Sequence, residues 1–355
     1  MKRFAALASV LLMAGCATNS STSTATNQSP ATAAAAPARY HVVRHIPVGG
    51  VGGWDYLTMD GGSHRLFLSH SDRVEVVDVG SGKVVGTIPN TPGVHGIAIA
   101  SSLHRGFVSA GRTSSVTIFD LDSLVPLGEV KTGERPDAII FDPVTARVFT
   151  FNAGGKNTTA IEAASGAVAG TIDLGGKPEF AVSDGKGRVY VNIEDTNEVV
   201  AFDPKALTVI TRWKLEGCDE PSGLAMDRAH GRLFSGCGNK VMAISDADAG
   251  RMLTTVPIGE GVDANVFDPA LGLAFSSNGA DGTLTVVRET WPSRFEVIDT
   301  VATQRGARTM ALDEKTHHVY LATAQFGPPP APTAERPHPR PSILPDSFEV
   351  VEVAP

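Results

Sequence analysis

Beyond its first residues the chain has no apolar run of about 18 residues or more, so no internal membrane span is expected. It has no basic excess: 30 Lys and Arg against 38 Asp and Glu give a formal charge of −8. That disfavours a nucleic-acid binder, which presents a basic face. It has no sustained helical periodicity outside the N-terminal segment, and no Gly-x-Ser-x-Gly elbow, which argues against a serine hydrolase. Aromatic residues are only 6% and cysteines only three. Glycine is plentiful, 37 of 355 residues, so many tight turns are expected. With 42% hydrophobic and 19% charged residues, a large core is possible and wholesale disorder is excluded.

Residues 1–15 place Lys2 and Arg3 before a short apolar stretch, Phe4 to Met13, the pattern of a secretory signal peptide. Met13-Ala14-Gly15-Cys16 resembles a bacterial lipobox, with Met where Leu is usual, which makes Cys16 the candidate for lipidation. Residues 16–39 are rich in Ser, Thr and Ala and form a flexible tether. The expectation is a periplasmic, outer-membrane lipoprotein, a monomer held to the membrane only through its lipid. Ala17 is compatible with outer-membrane sorting.

One phrase recurs from residue 40 onward: a Gly- or Pro-containing loop, one polar residue, a short apolar run and usually Asp. The polar residues are Asp55, His95, Asp137, Glu179, Ser222, Asp263 and Arg308, in steps of 40, 42, 42, 43, 41 and 45 residues. Three more short runs rich in β-branched residues follow each occurrence, separated by Gly, Asp and Asn. Four strands per repeat of about 42 residues specify a β-propeller blade. Without the odd stretch 324–346, residues 40–353 hold about 6.9 such repeats, so the count is seven. The last repeat lacks a fourth strand, and residues 41–49 resemble one. The N-terminal strand should therefore complete the last blade. One all-β domain, residues 40–355, replaces the two domains that length alone would give.

Repeats such as PGVHGIAIASSLHRGFVSAGRTSSVTIFDLDSLVPLGEV resemble the YVTN-type repeat of YncE-like seven-bladed propellers. The resemblance covers residues 40–355 and implies that architecture. For activity it implies little, since such propellers include binding proteins and lactonase-like enzymes, and function has to be argued from the site.

The seven recurrent polar residues should form one ring around the mouth of the central channel. A ring of close carboxylates raises their pKa values or recruits a cation. Two functional readings follow. The first is a binding protein that takes a small molecule, an envelope polymer or a protein partner on this face, using Asp55, Asp137, Ser222 and Asp263, with His70, Asn152, Asn192, Arg112, Asn278 and Asp281 added from the loops after the second strands and Trp54 as a stacking wall. The second is a lactonase-like hydrolase or lyase, with His95 or Glu179 as general base and Arg308 as the clamp on developing negative charge. Asp55, His95, Asp137 and Glu179 offer three carboxylates and an imidazole to a divalent cation, although no HxxxH or HExxH spacing supports it there. Tyr56 should point away from Asp55 by strand alternation.

Cys218 and Cys237 both fall on the channel face of blade five, and in an oxidising compartment they should form a disulfide. The insertion 324–346 carries eight prolines. It could form a lid with Arg336, His338 and Arg340 over the acidic mouth, a partner-binding segment or a spacer. His64, His104, His230, His317 and His318 all precede second strands and are expected to be turn residues on the opposite face.

Overall fold

Each repeat's four short runs form four antiparallel strands joined by tight turns, giving seven separate four-stranded sheets in a computed structural model. Residues 39–355 are described, apart from 292, 334–338 and 340. The proposed signal segment, Cys16 and nearly all of the tether lie outside the described residues, as do Arg336, His338 and Arg340. The blades span residues 54–88, 94–131, 136–173, 178–214, 221–257, 262–302 and, for the last, 309–354 together with 41–47. The first strands of successive blades pack against one another all the way round, with Thr309–Asp313 of blade seven returning to Trp54–Asp60 of blade one. These are the inner strands.

The sequence pattern of each strand follows from its place. Second and third strands are covered on both faces by neighbouring blades, so Arg65–His70 and Arg73–Asp78 are buried at nearly every position. The outer strand Lys83–Ile88 faces solvent and is mostly exposed. Seven hydrophobic clusters fill the seven blade interfaces. Phe67 and Phe119 meet between blades one and two, Phe149 and Phe202 between three and four, and Tyr190 and Trp213 line the interface of four and five. Each fully buried large side chain contributes on the order of 2 kcal/mol of transfer free energy.

The ring closes as expected. His41–Pro47 pairs with Glu349–Ala354 in antiparallel register, from His41 opposite Ala354 to Pro47 opposite Glu349. Ile46 is buried in the interface of blades seven and one, and Arg44 Nε donates to Glu352 Oε2 at 2.6 Å. The Tyr40 hydroxyl donates to the His317 carbonyl, tying the chain's entry to blade seven.

Cys218 and Cys237 form the disulfide, with Cα atoms 5.4 Å apart. It links the loop entering blade five to the end of that blade's second strand. For a closed loop of 19 residues' separation the chain-entropy contribution is about 3 kcal/mol. Urea unfolding of the Cys218→Ala/Cys237→Ala variant should show a loss of that size relative to the oxidised protein. An unchanged midpoint would contradict it.

Candidate functional site

The inner strands do not begin as regular pairs. In the first six blades the register shifts just after the first residue, for example between Trp54 and Leu57, Val94 and Ile97, and Pro136 and Ile139. A bulge of this kind frees backbone groups and re-aims side chains. Hydroxyls satisfy the freed groups. Ser69 Oγ accepts from the Asp55 N–H, Ser109 Oγ accepts from the Gly96 N–H and donates to the Asp137 carbonyl, and Ser277 Oγ donates to the Arg308 carbonyl. Two of these bonds cross to the next blade, from Ser109 to Asp137 and from Ser277 to Arg308, so blades two and six fix their neighbours' polar residues. The inner strands nearly touch there: a Cβ on Gly223 would lie 2.6 Å from the Asn265 nitrogen.

The polar residues make contact around most of the ring. Arg308 Nε donates to Asp263 Oδ2 at 2.8 Å, and its Nη2 lies 3.5 Å from Asp55 Oδ1. His95 Nδ1 donates to Asp55 Oδ2 at 2.6 Å and lies 3.6 Å from Asp137 Oδ1. Ser222 Oγ donates to Asp263 Oδ1 at 2.9 Å. Glu179 is held by Lys177 at 2.8 Å, and Lys177 also binds Glu194. Asp55, His95 and Asp137 each offer a ligand atom within 4.8 Å of the others. Glu179, expected as a fourth ligand, is absent from that group, and its carboxylate pairs with Lys177 instead.

Tyr56 departs from the expectation. The bulge breaks alternation, and its ring crosses the channel from blade one to stack on Phe180 of blade four, centroids 4.4 Å apart. Its phenol is pushed well above its ordinary pKa by burial first, then by Asp137, Glu179, Asp55 and Asp263. The stacked pair lies beside the ring carboxylates, whose charges reach the Tyr56 phenol.

Other predicted residues lie in the walls. Trp54 is 6% exposed, packed against Phe348 and Phe326 with the Arg308 guanidinium 5.7 Å from its ring centre, and offers no stacking wall. His70 is fully buried against Phe348 at the end of its strand, and burial lowers its pKa. Asn152 is saturated by Thr150, Asn157 and Thr159, and Asn278 plays the same part in blade six with Ser276, Thr283 and Thr285. Asn192 donates to the Ser222 and Gly223 carbonyls and clips blade four to blade five. These residues end second strands, where a side chain turns into the blade. Arg112 is exposed, and Asp281 accepts from the Glu260 N–H of the loop entering the same blade. The insertion's base is a short pairing of Phe326 with Ile343, pinned through Asp346 to Gly50 beside the mouth.

No protein-family model matches the chain by sequence, and no curated protein does. The fold is similar to solved structures. One is hydrazine synthase of Kuenenia stuttgartiensis, at 15% identity over 76% of this chain and 92% of that one, with a TM-score of 0.67. Another is a chain in the crystal structure of the mitotic checkpoint complex, at 15% identity over 85% of this chain and 95% of that one, with a TM-score of 0.70. By fold the chain is a seven-bladed β-propeller.

Burial, then neighbouring carboxylates, push Asp137 up to about 6 against the pull of His95. Burial and Asp137 push Glu179 up to about 8 despite Lys177. Burial alone would lower His95, but its bond to Asp55 and the charge of Asp137 raise it. All three hold their protons more tightly folded than unfolded, so their contribution to stability falls as pH rises. The loss runs from the ordinary carboxylate range to about 8. Melting temperature should drop between pH 5 and pH 8 (about three units across these pKa values), and Glu179→Gln should flatten that slope. An equal slope in the variant would refute the assignment.

Proposed function

We propose that the protein is an exported, lipid-anchored propeller that binds a cationic group at its channel mouth. That group belongs to a small molecule, an envelope polymer or a protein partner. The carrying observation is a deficit of positive charge in one sector. Arg308 is committed to Asp263 and Asp55, and Lys177 to Glu179 and Glu194, while Asp137 has His95 as its one ion-pair partner among the described residues, at 3.6 Å, and feels Lys177 only from farther off. Carboxylates held up by burial and mutual repulsion are relieved by an entering cation. The disulfide supports an oxidising compartment, and residues 1–16 support export and anchoring.

Mn²⁺ and the organic dication putrescine are suitable probes, followed by calorimetry. Binding displaces the proton from Asp137, so affinity should rise from pH 5.5 to pH 8, through the roughly 6 of that group. Asp137→Asn should weaken it at least about tenfold. Binding indifferent to both pH and this substitution would reject the site.

A hydrolase reading has one observation in its favour. The Asp55–His95 pair is the arrangement that orients an imidazole as general base, and Glu179 keeps a proton to donate at neutral pH. Arg308, being doubly paired, is poorly placed to clamp an oxyanion. A panel of lactones and esters decides between the readings. Turnover that vanishes in both His95→Gln and Glu179→Gln would replace the binding reading, and an inert protein would retain it.

A further inference from the structure

Seven copies of one design allow each blade to be compared with the others. On the face opposite the ring, the turn after the inner strand follows one pattern in blades one, three and seven. The terminal Asp accepts a hydrogen bond from a hydroxyl three residues on: Asp60 from Ser63, Asp142 from Thr145 and Asp313 from Thr316. Blade five differs. There His230 takes the place of the hydroxyl, and its Nδ1–H donates to Asp227.

A second difference lies across the interface in blade six. Just past the third strand's regular pairing, one residue's N–H donates to the turn that precedes the second strand. In blades one, two, three and five that residue is small or apolar and buried: Val79, Leu121, Ala163 and Ala247. In blade six the same bond, from N–H to the Gly272 carbonyl, belongs to Glu289. A third difference is length. The third and outer strands of blade six have eight and nine residues, against six and six in blade one. The extension carries Trp291, which stacks on His230 at 4.5 Å and covers Arg232 at 4.8 Å.

The three differences converge. Asp227, His230 and Glu289 each present a ligand atom within 4.8 Å of the others. Both carboxylate oxygens of Glu289 are shut off from solvent and accept no hydrogen bond from the described residues. Burial first, then Asp227, push this carboxyl up to about 7, with His230 and Arg232 pulling the other way. Arg232 pairs with Asp246 at 3.1 Å, so its charge is shared. A carboxylate buried beside another carboxylate is costly unless a proton or a metal ion lies between them.

We infer that Asp227, His230 and Glu289 form a divalent-cation site between blades five and six, on the face opposite the ring. One imidazole and two carboxylates suit a four-coordinate Zn²⁺ with one position left for water. Ca²⁺, which takes about 6–8 oxygens, is under-served by three residues. Trp291 roofs the site against His230 and reports on it.

The test titrates Zn²⁺ alone into the full mature protein after chelator treatment, read by tryptophan fluorescence, calorimetry and melting temperature. One equivalent should change the emission, a change lost in Trp291→Phe, and should raise the melting temperature. Glu289→Val installs the residue that blade one uses at this place, and should fold while weakening this binding at least about tenfold. His230→Ser, which restores the hydroxyl pattern, should do the same. The binding should persist in a His95→Gln background, so that the ring is not its seat. Zinc binding unchanged in both Glu289→Val and His230→Ser would overturn the inference. So would no zinc binding by the wild-type protein, which would leave Glu289 as a protonated acid sharing its hydrogen with Asp227.

Discussion

A four-stranded sheet with strands of five to nine residues has two faces to bury and two edges to protect, and cannot do either alone. Packing each sheet on the next solves the first problem for six interfaces but leaves a seventh open. The pairing of His41–Pro47 with Glu349–Ala354 completes blade seven, because without it the Glu349–Ala354 edge would be unpaired and the interface with blade one would lose Ile46. The chain's first strand thus makes the last interface possible. The same closure brings Arg308 of blade seven within reach of Asp55 of blade one, across 253 positions in the sequence.

Closure also sets the electrostatics of the mouth. Seven inner strands meeting at one axis bring four carboxylates together whether or not their charges favour it. The protein offsets part of this repulsion with Arg308, His95 and Lys177, each placed between or beside acids. Those cations flank the sector around Asp137 more than they fill it. The packing energy of seven blade interfaces holds the unfavourable charges in place, which is the condition under which a site can be strained toward a ligand before one arrives.

The architecture was legible because it is periodic. Steps close to 42 residues expose the blades, and the terminal strand was visible as the missing fourth member of the last repeat. The ring order followed from the same periodicity. What alternation could not reveal was Tyr56, since a bulge at the strand's start sends it across the channel. His70, Asn152 and Asn192 were misplaced for a related reason. His70 and Asn152 are the last residues of second strands and Asn192 the last but one, so each is still within the strand and its side chain is buried in the wall. His230 looked like its turn-forming counterparts because its partner Glu289 lies 59 residues away in another blade.

Repetition makes such exceptions informative. In a fold built from equivalent units, packing demands are nearly equal at equivalent positions, so a residue that violates the demand in one blade needs a local cause. Leu121 and Ala247 show that the position of Glu289 accepts a side chain without charge, and Ser63, Thr316, Leu103 and Leu271 show that the position of His230 does without an imidazole. Neither exception improves the packing of its own blade. Each is intelligible only when the two are seen on either side of one interface, with Asp227 between them and Trp291 above. The argument that a polar residue at an apolar position marks chemistry is ordinarily made against homologues. Here the other blades of the same chain supply the comparison.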